Sequence, residues 1–147
     1  MRASLIATGA TAEVRNTTRV GSAVLQITKL GGLDAACDGT ADGSFQLNGI
    51  GAQPGMCVLW QLTVENKGTE EVCEVSLADE APLYSTLFGN AVVVSEPAPG
   101  TGSCVQADGA VTCKVGNAID ISGDSVPELH CLRPGESASV RFGVQIE

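Results

Sequence analysis

The sequence predicts an all-β sandwich, and three observations carry that expectation. Two segments, PGMCVLWQLTVENKG over 54–68 and RPGESASVRFGVQIE over 133–147, open on Pro-Gly and then alternate apolar and polar residues with the period of two of a half-buried strand. Neither settles into the i, i+3, i+4 apolar spacing that a buried helical face requires. Glycine is 18 of 147 residues, aromatics are 3% and charged residues 17%, a mix that suits short strands joined by tight turns. At this length one domain is expected, with 1–18 as an N-terminal arm and 19–147 as the sandwich.

The arm is the least ordinary stretch. Residues 3–14, ASLIATGATAEV, are small, β-tolerant and almost uncharged. Ala10, Ala12 and Val14 alternate with Thr11, Glu13 and Arg15, so 3–14 is expected as one strand burying a face of small side chains. RNTT over 15–18 is a hinge or turn, and Asn16-Thr17-Thr18 matches the N-glycosylation sequon. A second strand over 19–30 carries Ala23, Leu25 and Ile27 on one face, a loop is expected over 31–43, and a short strand over 44–48 around Phe45 and Leu47.

In the central strand Val58, Trp60, Leu62 and Val64 point inward, and Asn66, Lys67 and Gly68 close it with turn chemistry. Trp60, the only Trp, is expected at the centre of the core. Residues 71–78 place Cys73, Val75 and Leu77 inward, as an antiparallel neighbour of the central strand across the 66–70 turn, and Pro82 ends the run. The β-branched stretch 91–95 suits a strand buried on both sides or paired in an assembly. A hairpin over 104–113 and a short strand over 119–122 follow, before the final strand with Ala138, Val140, Phe142, Val144 and Ile146 inward. The two Pro-Gly-led strands are expected in two sheets facing one core of Trp60, Leu62, Val64, Val75, Leu77, Val140, Phe142 and Val144. The total is roughly eight to ten short strands at the turn spacing of a sandwich.

Six cysteines in a small, Gly-rich, acidic β protein imply a disulfide framework and an oxidising compartment. No C-x-x-C motif is present, which weakens zinc and thioredoxin-like alternatives. Cys104 and Cys113 flank VQADGAVT, where Asp108-Gly109 signals a hairpin turn that sets them face to face. Cys37, Cys57, Cys73 and Cys131 are not assigned by spacing; Cys37 with Cys57 and Cys73 with Cys131 is the preferred arrangement, each tying a loop to a strand.

Eight Lys and Arg against 17 Asp and Glu give a net charge of -9, which repels a phosphate backbone, so nucleic acid is not an expected partner. No apolar run reaches the length of a bilayer span. The opening MRASLIATGA has too little hydrophobic core for a secretion signal, which leaves a mature form or a protein exported with its signal already removed.

The order ITK (27–29), Pro-Gly followed by an apolar alternating strand and ENKGT (65–69), VCEVSLADEAP (72–82) and the closing RPGESASVRFGV (133–144) resembles the DUF11-type domain, an immunoglobulin-like module of prokaryotic cell-surface proteins. The resemblance covers most of 24–147 and implies an immunoglobulin-like sandwich with an extracellular structural or adhesive role. The six cysteines, the single module and the added N-terminal strand depart from that pattern.

The acidic loop DAACDGTAD over 34–42 sets Asp34, Asp38 and Asp42 four apart with Gly39 at the tight-turn place, a degenerate calcium loop. Ala36 and Phe45 stand where further ligands belong, so the oxygen count would need carbonyls, water or another acidic group; the alternative is a solvated Asp and Gly turn. His130, the only histidine, adjoins Cys131, but strand neighbours point to opposite faces and no third orienting group is evident. With no G-x-S-x-G, H-E-x-x-H or phosphate loop, no catalytic residue is expected. The favoured function is an extracellular subunit that polymerises with copies of itself, Ala3, Ser4, Leu5, Ile6, Ala7, Ala10, Ala12 and Val14 forming a donor strand that completes a neighbour's sheet. The simpler alternative makes 3–14 the first strand of its own sandwich, and the alternative function is a monomeric calcium-dependent adhesion module.

Overall fold

A computed structural model describes the backbone of residues 2–7 and 10–15 and, with side chains, residues 24–47, 50–98 and 100–147. Within them the alternating segments become β1 (Arg2–Ala7), β2 (Ala10–Arg15), β3 (Leu25–Asp34), β4 (Cys57–Asn66), β5 (Cys73–Glu80), β6 (Ser85–Ser95), β7 (Ser103–Ala107), β8 (Ala110–Lys114), β9 (Asn117–Ile119), β10 (Glu128–Cys131) and β11 (Ser137–Ile146). One sheet has the order β1-β2-β5-β8-β7, a second β3-β4-β11-β6, and β10-β9 form a small third; every pairing is antiparallel. The five- and four-stranded sheets face each other across a continuous core. Leu25, Ile27, Leu62, Val64, Val140, Phe142 and Val144 from one layer meet Val75, Leu77, Val111 and Cys113 from the other. This is an antiparallel β-sandwich, a layering compatible with the immunoglobulin-like class.

The inward rows are those the alternation predicts, and seven of the eight expected core residues are buried. Trp60 is the exception. It lies on the inward face of β4 but packs partly exposed at the rim of the core, whose centre is filled by Leu62 and Phe142.

Several expectations about neighbours are corrected. The two Pro-Gly-led strands do not sit in opposite sheets: β4 and β11 pair directly, with Phe142 opposite Trp60 and Val140 opposite Leu62. Period-two alternation fixes which face a residue takes and carries no information about which sheet holds the strand. Nor is β5 the neighbour of β4, because the 66–72 connection crosses from one layer to the other. Asn66 holds that corner. Its Nδ2 donates to the carbonyls of Glu70 (2.8 Å) and Leu132 (2.9 Å), while its Oδ1 accepts the Gly68 N–H at 2.9 Å. The buried amide thereby serves three polar partners in the connection between the layers, beside the isolated bridge between Val72 and Leu132.

The expected loop over 31–43 begins as strand. Gly31 and Gly32 continue β3 opposite Trp60 and Leu59. A Cβ on Gly31 would stand 2.6 Å from Trp60 Cζ3, so this glycine makes room for the indole and serves no turn. The expected strand over 44–48 reduces to a bridge between Gln46 and Gly31, with residue 48 outside the described residues. The 91–95 run is the end of the longer edge strand β6, and it is not buried on both sides: Ala91 and Val93 face the core while Val92 and Val94 are exposed. The expected 119–122 strand is displaced: β9 spans Asn117–Ile119, and 120–122 is not strand. The hinge and sequon at 16–18 and the expected strand over 19–23 lie outside the described residues.

Candidate functional site

The N-terminal arm is built as a hairpin instead of one strand. Arg2 pairs with Arg15, Leu5 with Ala12 and Ala7 with Ala10, so β1 folds back on β2. The expected assembly residues divide between them, Ala3, Ser4, Leu5, Ile6 and Ala7 on β1 and Ala10, Ala12 and Val14 on β2. Only β2 reaches the sandwich by a ladder, placing Thr11 opposite Ala78, Ala12 opposite Leu77 and Glu13 opposite Ser76 on β5. Without the hairpin the larger sheet would be β5-β8-β7, and β5 would present an open row of backbone donors and acceptors. The second sheet has edges at β3, bridged by Gln46 at Gly31, and at β6, whose outward residues Phe88, Val92 and Val94 are exposed.

The acidic loop follows directly from the end of β3. Asp34 is fully buried, and its carboxylate accepts the N–H groups of Asp38 (3.0 Å) and Gly39 (2.9 Å). Asp42 accepts the Ala35 N–H at 2.9 Å, and Asp38 accepts the Thr40 N–H at 2.9 Å. The three side chains therefore cap three different parts of the loop backbone. Among the described residues no group of three His, Cys, Asp or Glu side chains is gathered in a way that could hold a metal ion. The loop lies on the outer face of the second sheet. Arg141 stacks 4.7 Å over the Phe45 ring, and the Asp42 N–H donates to the Leu33 carbonyl at 2.7 Å.

All six cysteines are paired, as Cys37 with Cys57, Cys73 with Cys131 and Cys104 with Cys113. Cys104 and Cys113 are directly opposed on β7 and β8, as the Asp-Gly turn requires. Cys37–Cys57 fastens the acidic loop to β4, and Cys73–Cys131 fastens β10 to β5. None of the three joins the two large sheets to each other. His130 sits beside Cys131 with a positive φ of 56°, and its buried Nδ1 has no hydrogen-bond partner among the described residues.

A pair that the sequence analysis passed over does join the sheets. Lys29 on β3 and Asp79 on β5 both point between the layers, with Nζ 2.7 Å from Oδ2 and side-chain exposures of 7% and 2%. The Trp60 ring covers the ammonium, its centroid 4.6 Å from Nζ. Asp79 Oδ1 accepts the Glu80 N–H at 2.9 Å. The signal was present in the alternation itself: Lys29 follows Leu25 and Ile27 in an inward row, and Asp79 follows Cys73, Val75 and Leu77 in another.

Among the described residues no helix is long and apolar enough to cross a membrane. Compared with family models, curated proteins and solved structures, the chain matches none of them.

Proposed function

We propose that the chain is an extracellular structural subunit that polymerises head to tail into a surface filament or sheath, its N-terminal hairpin completing the sheet of a neighbour. The observation that carries this reading is the way the hairpin joins the fold, as an edge addition held to the larger sheet through the single β2–β5 ladder. An element attached in that way can exchange its own β5 for the β5 of another copy and make the same backbone hydrogen bonds there. Repetition of a head-to-tail contact gives an open fibre unless the rotation happens to close. Three disulfides suit a subunit working in an oxidising exterior, and the resemblance to DUF11-type surface modules points the same way.

The test is deletion of residues 1–15. The truncated protein should remain folded and monomeric on a sizing column, show no fibres by electron microscopy, and bind a synthetic peptide of residues 1–15. Identical fibres from the truncated protein would rule out donation. If the full chain runs as a monomer at every concentration, a monomeric surface adhesion module becomes the better description.

A further inference from the structure

We propose that Lys29 and Asp79 condense to an intramolecular amide that bolts the two sheets together. The inference rests on their contact alone and is independent of polymerisation. A lysine and an aspartate lie against a core cluster made of apolar side chains, with side-chain exposures of 7% and 2%. As an ion pair such an arrangement gains little over apolar residues of the same volume, because desolvation offsets the Coulomb attraction. As reactants they are well placed. Nζ lies 2.7 Å from Oδ2, and the remaining oxygen, Oδ1, is already held by the Glu80 N–H in the role an amide carbonyl would keep. Fixing a nucleophile against its electrophile in this way replaces an encounter in solution with a high effective concentration.

The atoms balance within the pair. One proton passes from the Nζ ammonium to Oδ2, and the neutral amine adds its lone pair to Cγ. A second proton follows from nitrogen to Oδ2, the Cγ–Oδ2 bond breaks, and that oxygen leaves as water. An ammonium and a carboxylate thus become an amide and one water, with no oxidant or reductant. The Trp60 ring over Nζ shields the product from the return of water. The cross-link would supply what the disulfides lack, since none of them spans the two large sheets.

The experiment is the intact mass of the full wild-type chain after folding, reduction of the disulfides and denaturation. The expected mass is lower than that of the sequence by one water, and a tryptic digest should show no cleavage after Lys29 and one branched species joining the Lys29 and Asp79 peptides. Lys29→Arg and Asp79→Ala should each restore the full mass. A wild-type chain of full sequence mass overturns the proposal. So does a water loss that maps to a cyclic imide at Asp38-Gly39 or Asp108-Gly109, with Lys29 cleaved normally. The wild-type measurement decides even where a variant fails to fold.

Discussion

Gly31→Ala is a small change with a large expected consequence, because the glycine lies under the only Trp of the chain. The new Cβ would fall 2.6 Å from Trp60 Cζ3 and 3.0 Å from Ile50 Cγ1, so the indole has to shift off the Lys29 ammonium it covers. Forcing a methyl into a packed site of this kind costs about 1–3 kcal/mol. Part of that is offset by about 0.4–1 kcal/mol from the reduced freedom of alanine in the unfolded chain. Taking the middle of both ranges, the net loss is about 1–2 kcal/mol, which for a domain of this size lowers the melting temperature by roughly 2–8 °C. Thermal and urea unfolding followed by Trp60 emission reads both the stability and the displacement of the ring. Circular dichroism then completes a double-mutant cycle with Trp60→Leu, where removal of the indole should relieve the clash and give a coupling of at least about 0.5 kcal/mol. A Gly31→Ala protein with wild-type stability and unchanged emission would show that Gly31 belongs to a flexible loop and that the ring does not rest on it.

Two further substitutions probe the corner and the acidic loop. Asn66→Ala removes the side-chain donor to the Leu132 carbonyl, which keeps the Val72 N–H, and frees the 66–70 turn, so chemical denaturation should show a loss of about 1–3 kcal/mol, the cost of a lost buried hydrogen-bonding group. Asp34→Ala removes the acceptor shared by the Asp38 and Gly39 N–H groups and should cost about 1–3 kcal/mol equally in calcium and in a chelator. A loss seen only in calcium would instead assign Asp34, Asp38 and Asp42 as ligands, since an ion bound only to the folded state must raise its stability.

The faces of the strands were legible because alternation is local. Leu62, Val64, Val75, Leu77, Val140, Phe142 and Val144 fall inward for the reason that their neighbours in sequence fall outward. The Cys104–Cys113 pair was legible for the same reason, as the Asp-Gly turn fixes its register within one hairpin. What alternation cannot carry is the choice of neighbour. That choice placed β4 beside β11 and sent β5 to the other sheet, across a corner held by the buried amide of Asn66, whose partners lie in the connection itself and at the distant Leu132. Gly31 and Gly32 read as loop because glycine is ambiguous until the residue facing it is known, and here that residue is Trp60, twenty-nine positions along. Lys29 and Asp79 escaped notice because each is an ordinary surface residue by type. Only their places in two inward rows set them apart.

The most direct test of hairpin donation is a cysteine pair at Thr11 and Ala78, register partners across the β2–β5 seam. All native cysteines are already paired, so Thr11→Cys and Ala78→Cys introduce the only free thiols. The doubly substituted chain is assembled under conditions that give fibres, oxidised mildly and run on a denaturing gel without reductant. Donation to a neighbour predicts a ladder of covalent dimers, trimers and longer chains that collapses to monomer on reduction. A single monomeric band, with the new disulfide closed inside each chain, would place the hairpin on its own β5 and contradict donation.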